Sequence, residues 1–383
     1  MLSNHKSYTK VALTITIFLT MLLLTISCKE CPTEPENHNV PDTTSHYFVW
    51  EIDTLGNYGS YLNDVWIVDE NNIWVVGNIV VPDPDSSWNG TGRETFNAAK
   101  WDGEKWKYIH IRGTLSNDVG PLYSLWYFSE NNIWVTDYCY PIHWDGKTWT
   151  LYHLQNLGLD ACAGFGIWAS SPDDIYFVGY QGSIVHYDGL IFIKVESQTD
   201  IDLLDIWGTY GYNIWACGKN DWSSIILHSN VNLWSTFYQR RSDTNEWELP
   251  KDEILLNIAS IWDSGEGDSL WAVGSWGVFR VSRKHPGKAR WAYPRRWDSP
   301  GEYEMGYPLK VRGTADNNLF VVGQRSTVLH FNGKSWYRYM DLYWDVVALK
   351  GSDNIWFWSL AVTEDLIVIV SDENIILRGR KIN

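Results

Sequence analysis

From residue 62 onward one phrase returns seven times: an apolar pair that often ends in Trp, a polar turn, then Ile-Trp-apolar-Val-Gly. It stands as Asp64-Val65-Trp66 followed by Ile73-Trp74-Val75-Val76-Gly77, and again around Trp126 and Trp134, Trp168 and Tyr176, Trp207 and Trp215, and Trp262 and Trp271. The sixth and seventh copies keep only the second half, Leu319-Phe320-Val321-Val322-Gly323 and Ile355-Trp356-Phe357. A second phrase follows, apolar-apolar-His-aromatic-Asp-Gly and then Trp, as in Ile142-His143-Trp144-Asp145-Gly146 and Val328-Leu329-His330-Phe331-Asn332-Gly333. Asp-Gly and Asn-Gly between alternating apolar residues are strong hairpin signals, because both turn positions tolerate positive φ. Each unit therefore holds four short strands, A to D.

Taking the strand B aromatic as marker, the units recur every 36 to 60 residues, 47 on average. Four-stranded units of that length predict an all-β fold, a seven-bladed β-propeller of four-stranded antiparallel blades. No stretch of residues 47–383 sustains a 3.6-residue period, which excludes a helical solenoid. After the last strand C, Ile375–Gly379, too little chain remains for a strand D, whereas Tyr47-Phe48-Val49-Trp50-Glu51-Ile52 precedes the first strand A as an orphan. The N-terminal strand is expected to complete blade seven and so close the ring.

These repeats, over about residues 60–380, resemble those of bacterial secreted propellers related to sialidase-like and photosystem-assembly-factor-like proteins, chains sometimes labelled glucosyltransferase. The resemblance implies the fold; propellers host many unrelated activities.

The N-terminus reads as an address. Lys6 and Lys10 precede sixteen uncharged residues, Val11–Ile26, and then Ser27-Cys28. The run suits a cleavable signal peptide, with an uncleaved anchor as the alternative. Leu24-Thr25-Ile26-Ser27-Cys28 resembles the lipobox of bacterial lipoproteins, which implies that Cys28 is lipidated and becomes the new N-terminus, although Thr25 stands where Leu is usual. Lys29-Glu30 looks like an export signal of surface-exposed lipoproteins, so the expected place is the outer membrane, held by the lipid alone. The organisation expected is a signal peptide over 1–27, a Pro-containing polar tether over 28–46 and the propeller over 47–383, a monomer.

Charge and motifs narrow the function. A formal net charge of −16 argues against nucleic acid, whose phosphates need clustered Lys and Arg. His143, His186, His228 and His330 occupy one strand C position in four blades and cannot converge on one ion, so they are expected to bond within their own blades. Asp102, Asp145 and Asp188 are turn residues. Nucleophile-elbow, phosphate-loop and dinucleotide motifs are absent from the sequence. Acids near strand A (Asp64, Asp205, Asp345) are the candidates for the carboxylate pair of a glycoside hydrolase. Two function classes stand: a non-catalytic recognition or scaffold module for a glycan, peptide or protein, and an exported carbohydrate-active enzyme using loop carboxylates. No cofactor is required, but Asp83, Asp85, Ser87, Asn89 and Glu94 set oxygen ligands at alternate positions, as either a calcium loop or a solvated acidic loop would. Cys139 and Cys162 fall in neighbouring connections and either pair or remain thiols; Cys217 reads as a small core residue.

The A–B and C–D turns are short, while the long stretches 78–96, 110–120, 237–255 and 292–306 belong to B–C and D–A connections, which share one face. Eighteen of the 25 Trp sit at repeat positions; Trp88, Trp222, Trp247, Trp276, Trp297, Trp344 and Trp358 fall in or beside that face. They either pin the loops down or bind ligand. Trp222, Trp276 and Trp297, with Trp88 and Trp247, are the candidate ligand residues.

Overall fold

The computed structural model describes residues 43–83, 92–113, 119–209, 213–221, 223–230, 233–241, 257–275, 277–285, 288–294 and 306–382. They form seven four-stranded antiparallel sheets, each a meander in chain order save one. In that seventh blade the N-terminal strand Phe48–Thr54 pairs with the last strand, Ile375–Lys381, from Phe48 opposite Lys381 to Thr54 opposite Ile375. The ring is closed by its two chain ends. Residues 44–46, read from the sequence as the end of the tether, are already fastened to blade six: the Thr44 hydroxyl donates to the Asn317 carbonyl at 2.6 Å and the Tyr339 hydroxyl to the His46 carbonyl at 2.9 Å.

Strand B is the most deeply buried of each blade because adjacent blades pack on both of its faces. Ile73 to Gly77 and Leu319 to Gly323 are buried without a break. The core is thus a series of inter-blade layers, such as Trp262, Trp271 and Val273 of blade five against Val311, Val321 and Leu329 of blade six. The Gly that ends the repeat phrase has a steric reason. A Cβ at Gly77, Gly179 or Gly323 would overlap the carbonyl oxygen of Tyr61, Cys162 or Tyr307, where the incoming D–A chain crosses the end of strand B.

The repeat histidines share one arrangement. Each stacks on the strand B aromatic opposite it, His143 on Trp134, His186 on Tyr176, His228 on Trp215 and His330 on Phe320, with centroids 4.0–4.3 Å apart. Each Nε2 also bonds a side chain at or just before the start of strand B in its own blade: Asn132, Asp174, Asn213 and Asn318 at 2.8–3.1 Å. The hairpin acids act as turns. Asp102, Asp145 and Asp188 each accept the backbone N–H groups two and three residues on.

Three expectations change. Ile355-Trp356-Phe357 is not strand B of blade seven; strand A begins at Phe357, and strand B is Leu366–Ser371, fully buried and without Trp. Trp358 accordingly lies within strand A. Helix α1, Met340–Lys350, fills the connection from blade six to blade seven, burying Leu342, Tyr343 and Val346 and ending on Gly351 at φ +69°. Eleven residues are too short for the repeat pattern to betray a helical period, and Asp345 sits on this helix rather than by a strand A. The two ends of the connection expected over 78–96 are paired with each other: strand B runs to Pro82 and strand C starts at Arg93, with Val81 opposite Glu94 beyond a bulge after Val76.

Candidate functional site

Strands A line the central channel, and two carboxylates there come from equivalent positions of blades one and four. Asp64 accepts the Leu125 N–H at 2.9 Å and the Ser124 hydroxyl at 3.2 Å from blade two, the Ser359 hydroxyl at 2.7 Å from blade seven, and the Val65 N–H at 3.0 Å. Asp205 accepts the Ile261 N–H at 3.1 Å and the Ser260 hydroxyl at 2.5 Å from blade five. Two cations of blade six then reach across: Lys310 Nζ lies 2.8 Å and Arg312 Nη2 2.6 Å from Asp205. Burial by itself raises the Asp205 carboxyl, but the Arg312 and Lys310 charges more than offset it and hold the group well below the usual carboxylate range. Arg312 stands where other blades carry the strand A Trp, pairing with Phe320 as Trp207 pairs with Trp215, and its guanidinium lies 4.8 Å from the Trp207 ring.

A glycosidic general acid must hold a proton near neutral pH and present it to a leaving group. Asp205 is an ion-paired carboxylate, Asp64 has both oxygens bonded to the ring, and Asp345 lies on helix α1. The three acids expected as a catalytic pair are ring fasteners and a helix residue.

The B–C and D–A face carries a different grouping. Tyr138 and Tyr180 lie in the B–C connections of blades two and three, and Tyr123 and Phe165 immediately precede their strands A. Their ring centroids lie 4.2 Å apart for Phe165 and Tyr180, 4.7 Å for Tyr138 and Tyr180, and 5.9–6.3 Å for the remaining contacts of Tyr123 and Tyr138. Local covalent structure fixes them. Cys139 and Cys162 are joined by a disulfide with Cα atoms 4.2 Å apart, which ties the B–C connection beside Tyr138 to the D–A chain leading to Phe165. Gly164 lets the two chains touch, since a Cβ there would overlap the Asp137 and Tyr138 carbonyls, and the Thr136 hydroxyl donates to the Gly164 carbonyl at 2.7 Å. Tyr138 remains half exposed.

Electrostatics set the character of this platform. Burial first, then Tyr138 and the Asp137 carboxylate, push the Tyr123 phenol up. Burial, the Tyr138 hydroxyl, Tyr123 and Asp202 raise that of Tyr180. Both phenols stay neutral, and two acids stand within electrostatic reach of the rings: Asp202, and Asp137, whose carboxyl burial pushes up against the lowering pull of the Tyr140 and Cys139 N–H groups. Asp202 also accepts the Gln181 N–H at 2.8 Å, which fixes it beside Tyr180.

Of the ligand residues expected from sequence, Trp88, Trp222, Trp247, Trp276 and Trp297 lie outside the described residues, as do Asp85, Ser87, Asn89 and Cys28. Asp83 bonds its N–H to the Gly92 carbonyl at 2.9 Å, and Glu94 is in strand C. The aromatic platform is built of Tyr and Phe, and the Trp outside the repeat do not point to it. The available signal was Tyr at the fourth residue after the strand B marker in two successive blades, Tyr138 after Trp134 and Tyr180 after Tyr176. Cys217 is buried in the layer between blades four and five.

No family model matches the chain. Among curated proteins it is similar to the immune protein Tsi7 of Pseudomonas aeruginosa, 29% identical over 104 residues, or 27% of this chain and 31% of that protein. The chain thus matches about a third of the length of that relative. Among solved structures it is similar to YCF48 bound to a D1 peptide, with TM-score 0.62 and 14% identity over 89% of this chain and 97% of that one. A catalytically inactive virginiamycin B lyase from Staphylococcus aureus with quinupristin gives TM-score 0.60 and 13% identity over 88% of this chain and all (100%) of that one. The extracellular domain of BT4673 from B. thetaiotaomicron gives 0.58 and 10% identity over 86% of this chain and 39% of that one. At such identities these likenesses show the fold alone: the chain is a seven-bladed β-propeller.

Proposed function

We propose that this chain is an exported lipoprotein whose propeller is a recognition or scaffold module, holding a peptide or protein on the face of the B–C and D–A connections. The observation that carries the reading is the aromatic platform of blades two and three, set by a disulfide on a ring whose channel carboxylates are committed to joining blades. Rigid aromatic side chains with polar tips supply contact area at low entropic cost. A propeller of similar fold was solved with a peptide bound, which favours a peptide or protein over a glycan. In this reading residues 1–27 are removed, a lipid on Cys28 holds the chain to the outer membrane, and the segment up to the propeller is a spacer.

Two measurements test it. The full chain in detergent, probed on peptide and glycan arrays, should retain peptides; turnover of a glycan would overturn the reading in favour of the enzyme. Metabolic labelling with a fatty acid should mark the wild type and not Cys28→Ala, and labelling of both would remove the anchor.

A further inference from the structure

The platform has a chemistry more definite than an apolar patch. Its rings present faces of negative quadrupole; Asp137, held by the Cys139 and Tyr140 N–H groups, and Asp202, held by the Gln181 N–H, flank it, and the chain as a whole carries −16. Aromatic faces backed by carboxylates attract cations, and the attraction grows where rings and cation are partly withdrawn from water. A planar guanidinium suits this site better than an ammonium, because it stacks on a phenol ring while its N–H groups reach the phenolic oxygens and a carboxylate. The Phe165–Tyr180 and Tyr138–Tyr180 contacts, at 4.2 and 4.7 Å with the rings inclined by 52° and 41°, leave a faceted surface rather than one flat stack. The disulfide and the close approach at Gly164 hold that surface in place before any ligand arrives, so little ordering is lost on binding.

We infer that Tyr123, Tyr138, Phe165 and Tyr180, with Asp137 and Asp202 at their edge, seat an arginine side chain of the bound peptide. This rests on the reading of the protein as a peptide-recognition module and names the chemistry of its partner. The partner is thereby a basic segment, drawn toward an acidic propeller and anchored by one stacked guanidinium.

The test uses the full chain in detergent on arrays of nonapeptides with randomised flanks and a central Arg, citrulline or Leu. Citrulline keeps the shape and most donors of Arg but not the charge. Retention of the Arg set should exceed that of the citrulline set by about tenfold, the range of a partly desolvated cation–π contact. That preference should vanish in Tyr138→Ala and in Tyr180→Ala and persist in Tyr138→Phe, which keeps the ring face. Equal retention of Arg and citrulline peptides overturns the arginine seat while leaving peptide recognition standing. Retention of no peptide in any set overturns both. A preference that survives both Ala variants places the seat elsewhere and also overturns it, as does a glycan competing for Tyr138 in place of the peptides. Should the Ala variants not fold, Asp202→Asn carries the test, since the amide oxygen can still accept the Gln181 N–H; it should reduce the Arg preference severalfold, and an unchanged preference overturns the inference.

Discussion

Asp64 and Asp205 occupy the same repeat position, and each fastens its strand A to the next blade through a Ser hydroxyl and a backbone N–H. Their surroundings then diverge. Asp64 is half-buried and bonded only by neutral groups, the last of them Ser359 from the blade that closes the ring. Asp205 is 1% exposed and is crossed by Lys310 and Arg312, which skip blade five to reach it. The same Asp therefore serves as a clasp held by uncharged donors on one side of the ring and as the centre of a buried charge cluster on the other. What separates them lies in blade six, where Arg312 replaces the repeat Trp. A departure from the repeat at one blade changes the electrostatics of another two blades away.

The largest test of this difference is deletion of each acid. Asp205→Ala leaves two cations facing each other with no anion, and should cost about 3–5 kcal/mol, as when one partner of a buried pair is removed. Asp64→Ala removes hydrogen bonds from uncharged donors and should cost about 1–3 kcal/mol. Urea unfolding of both variants gives the ranking; equal losses would erase the distinction.

Acid should remove the distinction selectively. The folded Asp205 carboxyl is depressed, and in the unfolded chain it titrates near an ordinary value of about 3.9. Its contribution is complete above that value and is lost as pH falls through it toward the folded value, because the unfolded chain binds the proton first. The gap between wild type and Asp205→Asn should be wide at pH 7 and narrower at pH 3. His330 works in the same range: burial, then His46 and Lys381, lower it to about 3, so stability drains as pH falls from about 6.5. That loss is common to both proteins and cancels in the difference. A gap that stays constant would show that the cations do not depress Asp205.

Within the cluster the two cations should rank unequally. Arg312 places two nitrogens on Asp205, at 2.6 and 3.0 Å, and also donates to the Ile261 carbonyl at 3.2 Å. Lys310 places one, at 2.8 Å. Lys310→Met therefore leaves the carboxylate paired and should cost about 1.5–3 kcal/mol, the worth of one hydrogen bond to a charged group. A loss as large as that of Asp205→Ala would mean that Arg312 does not hold the carboxylate alone.

Much of this fold could be read in the residues, because a repeat writes its geometry many times. The Asp-Gly hairpins, the within-blade bonding of the repeat His and the orphan strand at Phe48 are local or repeated signals, and their structural partners sit at fixed offsets. Where the repeat decays, the reading failed. Blade seven has no Trp in strand B, and Trp356 imitates a marker that the strand Leu366–Ser371 does not carry. Helix α1 is the one α-helix among the described residues, an insertion that the repeat does not announce. The site was less legible than the fold. Tyr138 and Phe165 meet because a disulfide and Gly164 join two connections, and Lys310 meets Asp205 because the channel is narrow enough to cross. Neither meeting is a spacing along the chain.

The finest comparison is between the two serines. Ser124 gives Asp64 one hydroxyl bond at 3.2 Å, while Leu125 supplies a shorter one from the backbone. Ser260 is wholly buried, donates to Asp205, and accepts the Val311 N–H at 3.2 Å, so it relays the fastening from blade four through blade five to blade six. Ser124→Ala removes one long bond and should cost about 0.5 kcal/mol, the low end for a single hydrogen bond. Ser260→Ala removes three, one to Asp205 and two from Val311 N–H and Arg312 Nη1, and leaves a buried N–H without this acceptor, so its cost should be about 1–2 kcal/mol. Combining each with the neighbouring acid as a double-mutant cycle separates the clasp from the relay. Ser260→Ala and Asp205→Asn should couple strongly, and Ser124→Ala and Asp64→Asn weakly. Equal coupling energies on both sides would mean that the charge cluster adds nothing to the fastening that the Asp64 clasp lacks.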